Sequence, residues 1–295
     1  MIRAQAAAPR LLKATRTHRA SHWREHSILP GFNLSLGIVI VYLGLIVLLP
    51  LGVLALRPWE IGLDGIWKVL SGARVAGALK LSFGLALLAA LTNVPLGVLI
   101  AWTLSRYAFP GRRLMDALVD LPFALPTAVA GIALTALYAP NGALGAPLAR
   151  LGIKSAYSPL GIFIALVFIG LPFVVRSIQP VLEDLDGSVE EAAHTLGASD
   201  LQRIAYVVLP ALAPAILSGF SLAFARAVGE YGSVIFIAGN MPLKTEIAPL
   251  LIVIKLEQYD YAGAAAIGVA MLAISFGALA GLNLLQLLLA RRGRA

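Results

Sequence analysis

The sequence predicts an all-α integral membrane protein of about six transmembrane helices, and three observations lead there. Of the 295 residues, 59% are hydrophobic and only 13% are charged, against roughly 45–50% and about 25% in a soluble domain. The apolar residues fall in long uncharged blocks, and about 20 such residues span a bilayer core. Mean hydropathy over the whole chain is +0.87. The basic residues gather at the ends of the blocks, where the orientation signal of a membrane protein is carried. The net charge of +8 therefore speaks for topology rather than for nucleic acid. The chain has no cysteine, which excludes disulfides, thiolate metal sites and cysteine nucleophiles.

Uncharged runs place the six spans at 34–56, 76–105, 120–139, 159–175, 211–238 and 262–290. The first is too long for a signal-peptide core and is expected to be retained as a helix. Six spans put both termini on one side. With the N-terminus inside, Arg3, Arg10, Lys13, Arg16, Arg19, Arg24, Arg106, Arg112, Arg113, Arg176, Arg203, Arg291, Arg292 and Arg294 lie inside, fourteen in all. The outside loops hold eight: Arg57, Lys68, Arg74, Lys80, Arg150, Lys154, Lys244 and Lys255. The excess assigns both termini to the cytoplasm. The domain reading is a basic tail at 1–33, a transmembrane domain at 34–290 and a short basic end at 291–295.

The tail is Arg-rich and nearly free of acidic residues, which suits a disordered segment facing anionic lipid; an over-extended start or an organellar targeting segment is the alternative. His18, His22 and His26 would align on a helix, but no further ligand pattern accompanies them and no metal is expected. Pro122 and Pro126 open the third span, and Pro210 and Pro214 precede the fifth. Such breaks persist in a bilayer only where freed carbonyls find protein or water. Bent helices around a cavity and a merely kinked bundle both satisfy that.

The segment 188–210, between the fourth and fifth spans, is the most organised loop. Ser188 with Glu191 has the spacing of a capping box that would start a helix. Gly197 can take the left-handed conformation that ends one. Ser199 with Gln202 repeats the capping spacing, and a second helix would run to Pro210. Small Ala192 and Ala193 beside an acidic end would let the first helix lie in a groove of another protein. Locally, Glu191 is equally a carboxylate favoured by the helix dipole.

Glu191-Ala192-Ala193, three residues, Gly197, nine residues and then Val207-Val208-Leu209-Pro210 resemble the EAA motif of ABC-importer permeases, with valine in place of the motif's isoleucine. The runs FARAVGEYGSVIFIAGN at 224–240 and KLEQYDYAG at 255–263 resemble the sulfate/thiosulfate permease T-subunit family. DLPFALPTAVAGIAL at 120–134 is similar to sulfate and molybdate permeases generally. The resemblance covers roughly 35–290. It implies a type I (MetI-like) importer arrangement in a bacterial inner membrane, taking up sulfate or thiosulfate by alternating access, with molybdate the other oxyanion to weigh. It further implies a second related permease subunit, two copies of an ATP-binding subunit that carry ATP and Mg, and a periplasmic sulfate-binding protein. Position by position, Glu191, Ala192, Ala193, Gly197, Leu209 and Pro210 would form the element that couples to the ATPase. No cofactor is expected on this chain itself.

Arg226 and Glu230, four residues apart in the fifth span, share a helix face and can pair. Charges inside a span face a partner or a water-filled cavity. A self-satisfied pair, a subunit-interface pair that changes partners, and an Arg226 that lends positive potential to an anion route all fit. Tyr231 and Ser233 are further candidate pore or gating residues with hydroxyls to donate. An intramembrane hydrolase is disfavoured: all four histidines lie outside the spans, and Asp120 and Asp260 fall at opposite membrane edges. A channel or secondary transporter lacks support from any internal repeat. The sequence carries no Gly-x4-Gly-Lys-Ser/Thr phosphate loop, so ATP hydrolysis is expected on a separate chain.

Overall fold

The computed structural model describes residues 32–292. The histidines of the tail and the last arginine lie outside the described residues. Every regular element among the described residues is helical. The described residues divide into two units, with the boundary after Leu51.

The first unit holds α1 (Phe32–Leu43), a widened π turn (Gly44–Leu48) and the first residues of α2 (Leu49–Leu56), the rest of which belongs to the second unit. The apolar side chains of α1 are exposed on every face: Leu34, Leu36, Ile38, Val39, Ile40 and Val41 are all open. A helix that is apolar on every face and unburied by protein suits a lipid environment. The helical path continues through a 3-10 turn (Arg57–Ile61) and α3 (Gly62–Ser71), well past the predicted end at residue 56. Pro58 opens the tighter turn, and Arg57 pairs with Glu60 there.

The second unit is built on α4 (Ala73–Arg106), α9 (Pro159–Asp184) and α12 (Leu209–Val228). These three long helices pack mutually, with Ala86, Ala89, Ala90, Ala101, Val174, Val175, Ile178, Leu212 and Ala223 in their shared core. Between helices in lipid there is no hydrophobic drive, so close approach of small residues supplies the contact. Gly97 of α4 and Gly219 of α12 both face Val174 of α9, at 2.6 and 2.9 Å from where a Cβ would stand. A side chain at either position would part the helices.

Among the described residues, five helices are long and apolar enough to cross a membrane. The third predicted span, 120–139, differs in form. After α5 (Arg112–Val119) it consists of two short helices, α6 (Leu121–Ala124) and α7 (Thr127–Tyr138). Leu125 is extended, at φ −86 and ψ 134, because the ring of Pro126 disfavours the helical region for the residue before it. The twelve-residue α7 covers only about 18 Å. After α8 (Gly145–Arg150), α9 runs to Asp184, beyond the predicted end at residue 175, since Arg176 is neutralised by Asp116 and Asp120. α10 (Gly187–Thr195) and α11 (Asp200–Arg203) precede α12, which stops at Val228 rather than at residue 238. α13 (Val234–Ile237), α14 (Ala248–Glu257) and α15 (Tyr261–Arg292) complete the chain.

Ion pairs fix what lies at each end of α4. At its start Arg74 binds Glu246 through two hydrogen bonds of 2.6 and 2.7 Å. At its last residue Arg106 binds Glu190 of α10 at 2.5 Å. The 34 residues between set these contacts about 50 Å apart at 1.5 Å per residue. The loop before α14 and the α10 segment therefore occupy opposite ends of the bundle.

Candidate functional site

The segment from α10 to the start of α12 is held by local chemistry. The cap of α10 is Asp186, whose side chain accepts from the Ser188 backbone N–H at 2.9 Å. This corrects the expected Ser188–Glu191 box: an earlier carboxylate takes the position, and Ser188 lies within the first turn. The same N–H, with the Ser188 side chain, holds the Asp186 carboxyl below the usual carboxylate range. α10 ends as expected at Gly197, with φ +85, a conformation that costs glycine least. The Gly197 and Ala198 N–H groups return to the carbonyls of His194 and Ala193.

Ser199 then forms a complete capping box with Gln202. The helix it starts does not end at Pro210. Ile204–Val208 form a π turn, in which the Leu209 N–H reaches the Ile204 carbonyl, and α12 continues through Pro210. Proline has no N–H and its ring crowds the carbonyl four residues back; the widened turn just before Pro210 gives that ring room. α11, the π turn and α12 are thus one helical run over Asp200–Val228.

Exposure divides α10 into two faces. Glu191 and Ala192 point away from the bundle. Around them Val189, Leu196 and Leu201 are exposed, Leu196 at 88%. On the inner face the Glu190 carboxylate is 15% exposed, between Arg106 at 2.5 Å and Arg203 at 3.6 Å. A groove of about 580 Å³ runs beside this pair, lined by Trp102, Arg106, Tyr107, Glu191, His194 and Arg203 among others.

The second candidate group lies where α12 ends. Arg226 donates to Glu230 at 2.5 Å, so the pair anticipated from spacing forms. The helix stops before it is complete. Glu230 is past the end of α12, buried, and accepts also from the Ser233 backbone N–H at 2.9 Å and the Ser233 hydroxyl at 3.0 Å. Ser233 is fully buried and its hydroxyl is committed to Glu230, while Tyr231 is half-buried. This turn packs on α7: the Ser233 carbonyl oxygen lies 2.5 Å from a Cβ built on Gly131.

Three further polar features have no signature in the sequence. Arg176 of α9 gathers Asp116, Asp120 and Gln179, tying α5 and the turn before α6 to the bundle. Glu246, 2% exposed, is held by Arg74. Asn93 is fully buried between α4 and α9, with both amide atoms unpartnered. The residues joined by ion pairs stand 56 to 172 positions apart, which no local pattern records.

The family of binding-protein-dependent transport system inner membrane components matches residues 93–294. The chain is 48% identical over 265 residues to the sulfate transport system permease protein CysT of Salmonella typhimurium, covering 90% of this chain and 96% of that one. It is 46% identical over 269 residues to the CysT protein of Synechocystis sp., covering 91% and 92%. Among solved structures it is similar to a chain of a bacterial alginate ABC transporter in complex with an alginate pentasaccharide-bound periplasmic protein. That likeness has a TM-score of 0.70 at 18% identity, covering 84% of this chain and 91% of the other, and it speaks to the fold alone. On the extent of the first match and the identity of the relatives, the chain belongs to the family of binding-protein-dependent transport system inner membrane components, as a permease subunit of an ABC importer.

Proposed function

We propose that the chain is one of two permease halves of an inner-membrane sulfate importer, driven through α10 by an ATPase on separate chains. The observation that carries the coupling reading is the outward face of α10. Glu191 and the small Ala192 stand exposed beside apolar Val189, Leu196 and Leu201, on a helix whose opposite face is tied down by ion pairs. An exposed short helix with small residues and apolar neighbours fits a groove on a partner protein. Sulfate is the anion named for relatives that align along nearly the whole chain.

In this reading the partners are a second related permease subunit, two ATP-binding subunits that hold ATP and Mg, and a periplasmic sulfate-binding protein. Both termini face the cytoplasm, on the side of α10. Glu191, Ala192, Ala193 and Gly197 form the docking helix and its end, while Leu209 and Pro210 join it to the span. A loaded binding protein favours one state of the permease pair and nucleotide favours the other; only such differential affinity shifts the balance. Reversing a 1:99 preference to 99:1 takes about 5.5 kcal/mol of it.

The test is reconstitution of the four-component importer in proteoliposomes with labelled sulfate. ATP-dependent uptake should resist excess molybdate. Glu191→Lys should release the ATPase from the purified complex while leaving the chain in the membrane. Uptake abolished by molybdate would move the substrate to that anion. Normal assembly and uptake with Glu191→Lys would remove α10 from the coupling role.

A further inference from the structure

Glu190 and Glu191 are adjacent carboxylates with opposite surroundings. Glu191 is exposed and has no ion-pair partner among the described residues. Glu190 is 15% exposed and lies between two guanidinium groups, each 27% exposed. Among the described residues its ion pairs are the only ones that join α10 to other elements. Arg106 is the last residue of α4, and Arg203 ends α11, which is continuous through the π turn with α12. One carboxylate thus bridges the ends of two of the three helices that form the core.

The guanidiniums are themselves positioned. Arg106 sits over the Trp102 ring, 5.6 Å from its centroid, a cation–π contact that restricts where the head group can go. Arg203 is also held by Asp200 at 3.2 Å. The Nε atoms of both arginines are buried without a hydrogen-bond partner. Arg106 reaches Glu190 through its terminal Nη2. Arg203 faces Glu190 with Nε at 3.6 Å, an electrostatic contact rather than a hydrogen bond, while its Nη2 goes to Asp200. Removing Glu190 would take the shared counter-charge from both cations. Truncating one member of such a cluster is far more disruptive than its net stabilising contribution suggests.

We propose that Glu190 is the positioning residue through which displacement of α10 reaches the membrane helices, acting on α4 through Arg106 and on α12 through Arg203. This rests on the coupling role proposed above for α10. The two glutamates then divide the work: Glu191 faces the ATPase, and Glu190 faces the bundle. A motion that α10 could otherwise absorb by swivelling about Asp186 and Gly197 is instead delivered to two helix ends together.

The experiment measures labelled sulfate moved per ATP hydrolysed in the reconstituted importer, for wild type, Glu190→Ala, Glu190→Gln and the exchange Glu190→Arg with Arg106→Glu and Arg203→Gln, the last change removing the cation that would otherwise face the new arginine. The ATPase should copurify with every variant. Sulfate per ATP should fall at least tenfold in Glu190→Ala and less in Glu190→Gln, which keeps a hydrogen-bonding amide. The exchange should recover at least a third of the wild-type ratio, a rescue that a merely space-filling role would not give. Should Glu190→Ala fail to yield monodisperse complex, Glu190→Gln and the exchange decide the matter alone. A ratio within twofold of wild type in Glu190→Ala, or in Glu190→Gln if it alone folds, overturns the proposal. So does an exchange no better than the single substitution. If the wild-type complex holds no ATPase, or Glu191→Lys keeps it, the coupling reading itself has failed.

Discussion

Replacing Glu230 by alanine separates the readings of the charged pair in the fifth span. The carboxylate is 2% exposed and accepts three hydrogen bonds, from Arg226 and from the backbone and hydroxyl of the fully buried Ser233. Breaking a buried ion pair by removing one partner costs ~3–5 kcal/mol. Arg226 keeps 34% exposure, which places this case at the low end. An orphaned buried donor adds ~1–3 kcal/mol, although the hydroxyl can rotate to another acceptor. The expected loss for Glu230→Ala is therefore roughly 4 kcal/mol. Arg226→Ala leaves Glu230 its two Ser233 donors and should cost roughly half as much. The double variant should cost about what Glu230→Ala does, a coupling of roughly 2 kcal/mol. Equilibrium unfolding of the detergent-solubilised chain, in a double-mutant cycle, reads these differences. Additivity within ~0.5 kcal/mol, or a cost below ~1 kcal/mol for Glu230→Ala, would refute a locally satisfied pair. The carboxylate would then answer to a partner outside the chain.

Two further outcomes follow from other contacts. Gly131→Ala should destabilise by about 1–3 kcal/mol, because the new methyl would meet backbone atoms of Ser233 at 2.5 and 2.7 Å. Gly84→Ala, with nothing within 4 Å, is the control, and equal melting temperatures for the two would sink the argument. At the start of α15, Asp260 is held below the usual carboxylate range, first by the Lys255 ammonium at 2.5 Å and also by the Gly263 N–H, against desolvation. Its folded pKa lies below its unfolded one, so the stabilisation is complete above about pH 4 and is lost as pH falls through the folded value. The side chain is 40% exposed, so screening keeps the effect below about 1 kcal/mol. Melting curves of wild type and Asp260→Asn should converge from pH 6 to pH 3, and a constant gap would contradict the assignment.

What the sequence made legible follows the range over which each constraint acts. A lipid-spanning helix must be apolar along its length, so the blocks at 76–105 and 262–290 could be read directly and lie within α4 and α15. Helix ends set by one or two residues were equally accessible: Gly197 takes the left-handed conformation, and Ser199 caps with Gln202. The cap at Ser188 was misplaced because two side chains within three residues compete for the same N–H groups, and the carboxylate of Asp186 holds the position. Pro126 was visible, but hydropathy does not record that the chain turns there. For the same reason the apolar run through residue 238 hid the stop at Val228.

Pairings between distant residues belong to a different class. Arg74 with Glu246, Arg106 with Glu190, and Arg176 with Asp116 and Asp120 join separate elements across 56 to 172 residues. They lie at the two ends of α4 and about two turns from the end of α9. The pair at the end of α12, Arg226 with Glu230, is by contrast local. This distribution has a physical cause. A charge in an apolar run is best matched before the bundle assembles, and a neighbour one turn away on the same chain can do that. Near the ends a charge can wait in the hydrated interface and be matched when the helices meet. Local pairs are therefore legible in one sequence, and the pairs that orient helices against each other are not. Glu190 shows the consequence. The motif drew attention to its neighbour Glu191, whose exposed side chain needs nothing from the rest of the fold. The residue that binds α10 to the bundle became visible only when α4 and α11 were placed beside it.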